Sequence, residues 1–195
     1  MSTLAIALGA NLPSPAGPPL ATLQAARPLL AELLADLEPG VVAPPSTRPC
    51  CRLRWSPLFR TAPVGGPAGQ PDYVNAVVLV NPTHPPTAAA ALALLEALQA
   101  LEQRFARERR EHWGPRSLDL DLLWWGELRS RNEVLTLPHP RLLERAFVLA
   151  PLAAIDAQLM PPGARATATQ LLAQLQLTSP EPPPTRLPGQ PGWPE

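Results

Sequence analysis

Two aspartates, Asp119 and Asp121, have the most evident chemistry in this sequence, because they stand two residues apart inside an otherwise apolar run. Successive side chains of a strand point to opposite faces, so the carboxylates share one face and the neighbouring leucines share the other. Carboxylates about 6.6 Å apart along a strand can hold divalent cations about 3.5–4 Å apart. The pattern predicts a buried leucine face and a magnesium site that handles phosphate. The alternative is a solvated strand edge with incidental charges.

Arginines crowd into the stretch that leads to these aspartates. Arg107, Arg109 and Arg116 are interpreted as a clamp for a polyphosphate, because a guanidinium binds phosphate oxygens in bidentate fashion. For Arg104 and Arg110 a solvated helix face is the favoured interpretation. Acidic and basic groups at one place indicate a site for a magnesium nucleotide.

Tyr73 and Asn75 also stand two residues apart, on a segment rich in β-branched residues, so their side chains point the same way. A tyrosine ring for stacking, beside an amide that donates and accepts hydrogen bonds, suits a flat heterocycle with an amide edge. Taken alone, such a pair is more often rim packing on a strand. Both interpretations stay open at this point.

A third group follows the carboxylates. His139 is held between two prolines, and Arg141 and Arg145 follow at helical spacing. Phe147 adds an aromatic ring. Each of these residues could simply be packed or solvated, but their occurrence together favours contacts with a ligand.

The composition excludes several classes of function. All 16 basic residues are arginine, so neither a Schiff-base lysine nor the lysine of a Walker A motif is present. A formal net charge of zero argues against a general affinity for nucleic acid or anionic membrane. The two cysteines, Cys50 and Cys51, are adjacent and offer neither a disulfide framework nor the spacing of zinc ligands.

Size and local composition predict one domain with a tail. With 195 residues, 46% of them hydrophobic, the chain suits a single domain with a full core over residues 1–177. Residues 178–195 are rich in proline and predict a disordered or polyproline-like tail, with docking of Trp193 as the alternative. No apolar stretch approaches the ~20 residues of a membrane span, and the N-terminus has no basic leader. We therefore expect a soluble, cytoplasmic protein.

The elements that must position these residues follow from apolar periodicity and turn signals. Thr87 is the expected N-cap of the clearest helix, which should run to about Arg110. Expected strands are Leu4–Leu8 with a turn at Gly9–Asn11, Arg52–Thr61, Tyr73–Val80, the aspartate run to Trp125, and Val134–Leu137. Other expected helices are Pro19–Leu37 with Pro28 disturbing its middle, Arg141–Arg145, Leu149–Ala154 and Thr167–Gln176, and residues 39–51 are interpreted as a long loop.

The order strand, helix, strand, strand, helix, strand predicts an α+β fold. This fold is a ferredoxin-like sandwich with a mainly antiparallel sheet and helices packed on its faces. Some nucleic-acid-binding modules share this arrangement, and the arginines would then be their electrostatic footprint. Zero net charge and the paired aspartates argue against that function, since carboxylates in the same groove would repel phosphate.

Taken together, these motifs resemble the 6-hydroxymethyl-7,8-dihydropterin pyrophosphokinase family. The strongest match is the run His112–Leu123, HWGPRSLDLDLL, and the resemblance covers about residues 3–155. The other matching segments are Ala5–Asn11, Phe59–Gly65, Gln70–Ala76, Pro138–Pro140 and Arg145–Phe147. One departure is Ala106, since the family usually has glycine before the first catalytic arginine.

The resemblance implies a magnesium-dependent transfer of pyrophosphate from ATP to the hydroxymethyl group of 6-hydroxymethyl-7,8-dihydropterin, in folate biosynthesis. The products would be AMP and the pterin diphosphate. By position, Asp119 and Asp121 would hold two magnesium ions, and Arg107 and Arg116 would be catalytic. The pterin would be bound by Thr61, Val64, Tyr73, Asn75 and Phe147, and ATP by Glu102, Arg109, Trp113, His139 and Arg145.

Further expectations concern partners. ATP and the pterin would be the only ones, without nucleic acid or membrane, and the chain would act as a monomer. A degenerate, inactive homologue that serves as a protein partner is the remaining alternative. The intact Asp119, Asp121 and Arg116 argue against it, and an activity assay distinguishes the two.

Overall fold

The computed structural model describes residues 3–35, 53–82, 84–107 and 114–194. The long loop expected at residues 39–51 lies outside these ranges. The elements in chain order are β1 (Leu4–Ala10), α1 (Pro19–Ala35), β2 (Arg54–Trp55), β3 (Phe59–Thr61), β4 (Tyr73–Val80), α2 (Ala88–Arg104), β5 (Asp119–Trp125), β6 (Ser130–Arg131), β7 (Thr136–Leu137), a 3-10 helix (Leu142–Glu144), α3 (Ala146–Ile155), α4 (Ala168–Thr178) and β8 (Thr185–Arg186).

β1 lies inside an antiparallel sheet, between β4 and β5. The strand order is β5, β1, β4, β3, β8, with β2 also paired to β4. β6 and β7 form a separate two-stranded ribbon. Helix α1 follows β1 and helix α2 connects β4 to β5, which confirms the predicted α+β, ferredoxin-like sandwich.

Each face of the sheet is covered by helices. The side chains of Leu4, Ile6 and Leu8 belong to one apolar core together with residues of α1 and α2. Those of Ala5 and Ala7 point the other way and belong to a second core with α3 and α4. This alternation between two cores explains why every residue of β1 is buried.

The two helices of the first core form for local reasons. The side chain of Thr87 caps α2 by accepting a hydrogen bond from Ala90 N at 3.1 Å, as predicted. The helix ends at Arg104, before the expected Arg110. In α1, Pro28 does not interrupt the helix, because it lies on the exposed side, where water can bond the carbonyl that loses its partner. Within the described ranges, no helix has both the length and the apolar character needed to cross a membrane.

The strand expected over Arg52–Thr61 is divided into β2 and β3 by a bulge. Three residues, Ser56 to Leu58, stand opposite two residues of β4, Ala76 and Val77. Pro57 has no N–H and is tolerated at such a bulge. Ser56 replaces the missing ladder bond, because its N donates to Val77 O at 2.9 Å and its Oγ accepts from Val77 N at 2.9 Å.

The prediction of a disordered tail over residues 178–195 is wrong for its described part. β8 pairs with β3, and the Trp193 ring is 7% exposed. We call residues 185–193 the C-terminal strap. Its composition cannot build a core of its own, but a single tryptophan docks on the core that the rest of the chain builds, and proline-rich backbone loses little entropy on docking. That residues 1–177 form a single domain stays a prediction.

Truncating a buried leucine of β5 tests the division between core and surface. Leu122 is 3% exposed, so Leu122→Ala should lower the free energy of unfolding by about 2–5 kcal/mol, through lost burial and the cavity left behind. The matched control is Leu177→Ala on α4, where the side chain is 86% exposed and the change should stay within about 0.5 kcal/mol. Urea unfolding measures both values. Equal small costs would contradict the packing of β5 described above.

Candidate active site

A cleft opens at one end of the sheet, on the face that carries α3 and α4. Ala7 and Gly9 of β1 belong to its lining, and they have little or no side chain. The register sets Gly9 opposite Asn75 of β4 on one side and opposite Asp119 of β5 on the other. Opposed residues of antiparallel strands point to the same face, so larger side chains stand on both sides of this low floor. The cleft is concave and combines apolar side chains with a few polar and charged ones, which suits a small-molecule site.

The aspartates of β5 lie as their spacing predicts. Leu118 and Leu120 are 0% and 3% exposed and belong to the core under α1 and α2. Asp119 and Asp121 point to the opposite face and line the cleft. The buried leucine face is therefore confirmed, and the two carboxylates share the opposite face, as their spacing predicts.

Arginine side chains surround the two carboxylates. Arg107 Nη2 lies 2.8 Å from Asp119 Oδ1, and Arg116 Nη1 donates a hydrogen bond to Asp119 Oδ2. Arg145 Nη1 donates to Asp121 Oδ2 at 3.1 Å. Each carboxylate therefore has at least one guanidinium partner, and the acidic and basic groups meet in one cleft.

The oxygen donors of this cleft fit a hard divalent cation that also binds phosphate. Burial, and then the nearby Asp121 carboxylate, raises the pKa of Asp119, which means that added positive charge would be favourable here. Among residues in the described ranges, no group of three or more His, Cys, Asp or Glu side chains is arranged to hold a metal ion. Mg²⁺ is usually held by only one or two carboxylates, with substrate phosphates and water as further ligands. Asp119 and Asp121 match that requirement.

Glu102 lies at the end of α2 and is only 2% exposed. Its Oε1 accepts a hydrogen bond from Leu120 N at 2.7 Å and also pairs with Arg107. Burial raises the pKa of Glu102 to about 7, although Arg107 and the Leu120 N–H act in the opposite direction. Glu102 thus connects the backbone of β5 with a guanidinium that reaches Asp119.

Ala106 turns the chain so that Arg107 returns toward Glu102. Its φ of 58° lies in the left-handed region, at the C-terminal end of α2, where helices often have glycine. Ala106 N donates to Gln103 O at 3.0 Å, and Arg107 N donates to Glu102 O at 3.3 Å. Left-handed backbone costs a residue with a Cβ about 1–2 kcal/mol. This cost explains why glycine suits the position before the arginine.

The opposite wall of the cleft carries amide and aromatic groups. Asn75 Nδ2 donates to Thr61 Oγ1 at 2.7 Å, and Asn75 Oδ1 lies over Gly9. Burial raises the pKa of Tyr73, so its hydroxyl stays protonated at neutral pH. The five residues that the resemblance assigns to a pterin all line this cleft: Thr61, Val64, Tyr73, Asn75 and Phe147.

The turn before α3 contributes a third side. Arg145 Cζ lies 5.3 Å from the centre of the Phe147 ring. Burial, and then Arg145, lowers the pKa of His139 to about 4, so this imidazole is neutral near pH 7. His139 Nδ1 accepts a hydrogen bond from Arg141 N at 3.1 Å, which leaves Nε2–H as a donor.

Some assigned residues cannot be placed, and others were missed. Arg109 and Trp113 lie outside the described residues, so their contact with ATP stays a prediction. Arg141 lines the cleft, which agrees with the ligand contact expected from its place beside His139, although the resemblance gave it no role. Gly9 and Asn11 were interpreted only as parts of a turn.

Asn11 has a larger part than a turn residue. It is 1% exposed, its Oδ1 accepts from Arg116 N at 2.7 Å, and its Nδ2 donates to Pro71 O at 3.1 Å. Asn11 therefore ties the segment before Asp119 to the loop before Tyr73. The available signal was an amide directly after a fully apolar strand, a position where a buried polar residue needs partners.

Gly9→Ala tests the close approach of Asn75. A Cβ at this position would lie 2.8 Å from Asn75 Oδ1, so the amide would have to move. We expect a loss of about 1–3 kcal/mol in the free energy of unfolding, which urea titration measures. In an Asn75→Ala background the same substitution should cost less than half as much, because the opposing atom is gone. Equal costs in both backgrounds would refute this contact.

Glu102→Gln tests the buried carboxyl through the pH dependence of stability. The folded chain raises the pKa of Glu102 from 4.5 to about 7, so folded Glu102 keeps a proton that the unfolded chain has already released. Its stabilising contribution is therefore complete below about pH 4.5 and is lost as the pH rises through about 7. The uncharged glutamine lacks this loss. From pH 5 to 8 the stability of Glu102→Gln relative to the unsubstituted chain should rise by about 3 kcal/mol.

Melting temperatures at a series of pH values measure this difference, with Glu96→Gln on the exposed side of α2 as the control. The control removes a carboxyl from the exposed side of the same helix, so comparing the two variants isolates the effect of burial at Glu102. A difference for Glu102→Gln that does not vary with pH would contradict the raised pKa.

Comparison with known proteins assigns a family. Residues 5–157 match the family model of 7,8-dihydro-6-hydroxymethylpterin-pyrophosphokinase (HPPK). The chain is 37% identical over 174 residues to 2-amino-4-hydroxy-6-hydroxymethyldihydropteridine pyrophosphokinase of Synechocystis sp., covering 89% of this chain and 76% of the relative. It is 44% identical over 110 residues to the protein of the same name from Pseudomonas aeruginosa, covering 56% of this chain and 64% of that relative.

A solved structure extends the likeness to the fold. The wild-type HPPK-DHPS of Plasmodium falciparum matches with a TM-score of 0.55 at 12% identity, over 89% of this chain. At this low identity the likeness concerns the fold alone, and this chain spans 41% of the length of that structure. The family model covers most of the sequence, and the match to the Synechocystis relative covers three quarters of that protein. This chain therefore belongs to the HPPK family.

Proposed function

We propose that this chain transfers pyrophosphate from ATP to the hydroxymethyl group of 6-hydroxymethyl-7,8-dihydropterin, and that Asp119 and Asp121 hold two magnesium ions for this reaction. Pyrophosphate transfer to this pterin, in folate biosynthesis, is the activity of the family to which the chain belongs. The dependence on magnesium, the number of ions and the roles of single residues are the parts that we add.

One observation carries the proposal. A single cleft has paired carboxylates with arginines on one wall and an amide with aromatic rings on the other, separated by the low floor at Gly9. The first wall suits a magnesium polyphosphate. The second wall suits a flat heterocycle with an amide edge. A reaction that joins a phosphorus of one ligand to an oxygen of the other requires this juxtaposition.

We call the second wall, with Thr61, Val64, Tyr73, Asn75 and Phe147, the pterin wall. There Asn75 is proposed to form a hydrogen bond with the edge of the pterin ring. Its Nδ2 is engaged by Thr61, so its Oδ1 is the atom available to accept a bond from a ring N–H. Tyr73 and Phe147 would hold the two faces of the ring, and the backbone groups of Thr61 and Val64 would complete the recognition. The hydrogen bond to Thr61 fixes the amide orientation before the ligand arrives, which lowers the entropy lost on binding.

We call the first wall, with Asp119, Asp121 and their arginine partners, the phosphate wall. There Arg107 and Arg116 are proposed to stabilise the pyrophosphoryl group during transfer. Both now contact Asp119, and Arg145 contacts Asp121. We propose that these guanidiniums exchange a carboxylate oxygen for a phosphate oxygen when the nucleotide binds. The arginines would then already be directed toward the developing negative charge, and such preorganised groups stabilise a transition state without a reorganisation cost.

The chemical step forms a bond between the hydroxymethyl oxygen of the pterin and the β-phosphorus of ATP. The bond from that phosphorus to the oxygen bridging the α- and β-phosphates breaks, AMP leaves with that oxygen, and the proton of the hydroxymethyl group passes to water. Magnesium at Asp119 and Asp121 would supply neutralisation of the phosphate charge. The proposal needs neither a covalent intermediate nor a lysine, which agrees with the composition of the chain.

The remaining nucleotide contacts are proposed as follows. His139 would donate from Nε2–H to a phosphate oxygen, since its Nδ1 already accepts from Arg141 N. Glu102 is buried, so we propose that it acts by positioning Arg107 beside the nucleotide. Arg109 would contact the phosphates, and Trp113 would belong to a segment that closes over the site.

We further propose that the chain works in the cytoplasm and as a monomer. All the groups named above belong to one chain, so the cleft does not require a residue from a second copy. Light scattering of the purified chain at micromolar concentration would give the molecular mass, and a dimer mass would contradict this part of the proposal.

The purified chain, incubated with ATP, magnesium and the pterin, should produce AMP and pterin diphosphate in equal amounts. Liquid chromatography with mass spectrometry detects both products, and removal of magnesium with EDTA should abolish them. Asp119→Asn and Asp121→Asn should each lower kcat/KM by about 10³-fold or more. Both variants should also lose magnesium-dependent binding of a non-hydrolysable ATP analogue in calorimetry.

Asp156→Asn is the matched control, because this residue lies outside the cleft and asparagine retains the oxygen that accepts from Gln158 N. The control should keep full activity. ADP in place of AMP would indicate an ordinary kinase with another acceptor. Turnover that persists in Asp119→Asn and Asp121→Asn would refute the metal assignment but leave the reaction itself intact.

A further inference from the structure

The C-terminal strap lies along the side of β3 that faces away from β4. Thr185 and Arg186 pair with Arg60 and Phe59, so the strap adds one more strand to the sheet. Leu187 N donates to Leu58 O at 2.8 Å and continues this pairing into the bulge. β3 is thus enclosed on both sides, although it has only three residues.

A tryptophan anchors the end of the strap. Trp193 Nε1 donates to Ser56 O at 2.8 Å, and the ring meets Trp55 edge to face with centroids 5.5 Å apart. Gln24 Nε2 of α1 donates to Pro191 O at 2.7 Å. The strap is therefore fixed at both ends, by strand pairing at one end and by a buried ring at the other.

These contacts provide hydrogen-bond donors for carbonyl oxygens of the bulge. The bulge residues cannot all pair with β4, and Pro57 offers no N–H at all. The carbonyl oxygens of Ser56 and Leu58 are the groups to which the strap donates. Ser56 is fully buried, and a buried carbonyl without a partner costs about 1–3 kcal/mol. Without the strap, this short edge would have to open to water.

β3 ends inside the cleft. Thr61 is its last residue, it accepts the hydrogen bond that orients Asn75, and the segment from Ala62 to Val64 lines the cleft directly after it. No residue of the strap lines the cleft itself. The pairing with β3 therefore connects the strap to the cleft.

We propose that the C-terminal strap is a positioning element for the acceptor substrate: it holds β3, and through β3 the pterin wall of the cleft. This inference rests on the proposed function, because it concerns the substrate of that wall. The phosphate wall belongs to β5, α2 and the turn before α3, whereas the hydrogen bonds of the strap are with β3, the bulge and α1. Removal of the strap should therefore weaken binding of the pterin and leave binding of ATP almost unchanged.

A truncation after Pro184 removes the strap, and a truncation after Trp193 removes only the last two residues as its control. The longer truncation should raise the KM for the pterin about tenfold or more and change the KM for ATP less than twofold. Trp193→Phe retains an aromatic ring but loses the bond to Ser56 O, and it should raise the pterin KM about threefold. The control truncation should behave as the full chain.

Direct binding separates this inference from the proposed function. Fluorescence titration with 6-hydroxymethylpterin, in the presence of magnesium and a non-hydrolysable ATP analogue, gives a Kd for each variant without catalysis, at a temperature where circular dichroism shows the variant to be folded. If the full chain binds no pterin, the proposed function fails. If the full chain binds and Trp193→Phe binds equally well, the strap inference fails, even when the melting temperature falls. Should the long truncation not fold, Trp193→Phe and its Kd decide.

Discussion

The register of β1 between its two neighbours is the constraint on which the site depends. It sets Gly9 between Asn75 and Asp119, so one residue without a side chain separates the two walls of the cleft. If β4 or β5 slipped by one residue against β1, Asn75 or Asp119 would turn toward the helices of the other face. Apolar side chains would then point into the cleft. The apolar core prevents this slip, because the alternate residues of all three strands are buried under α1 and α2. Packing on one face thus fixes the chemistry on the other.

Electrostatics explain how one small cleft can keep so many charges. Asp119 alone would be costly there, since burial and Asp121 both disfavour its ionised form. Arg107 and Arg116 offset this cost at Asp119, and Arg145 does so at Asp121. The same pairs keep the guanidiniums directed at the position where the phosphates are proposed to bind. A ligand that brings both cations and anions can replace each partner by one of the same sign, so binding need not leave any charge unpaired.

Local patterns in the sequence predicted the parts of the fold that local physics determines. The two-residue alternation around Asp119 and the Thr87 cap could be recognised without any partner segment. The roles of Gly9 and Asn11 could not, because each depends on atoms more than sixty positions away, in Asn75 and in Arg116. The cleft residues were found mainly through the resemblance to a family, since single motifs such as Tyr73 with Asn75 also occur in ordinary strands.

The order of the strap was only the alternative interpretation, through docking of Trp193, for a related reason. Composition measures whether a segment can bury its own surface, and the proline-rich tail cannot do so. Its order comes from a place prepared by other residues, the bulge around Pro57, where carbonyl oxygens face outward without a strand to pair with. Pro57, which weakened the prediction of a strand there, also leaves carbonyl oxygens of the bulge without a donor from β4. The strap supplies these donors. A proline within an edge strand and a tryptophan near the end of an otherwise featureless tail are thus two halves of one structural feature, and neither half is interpretable without the other.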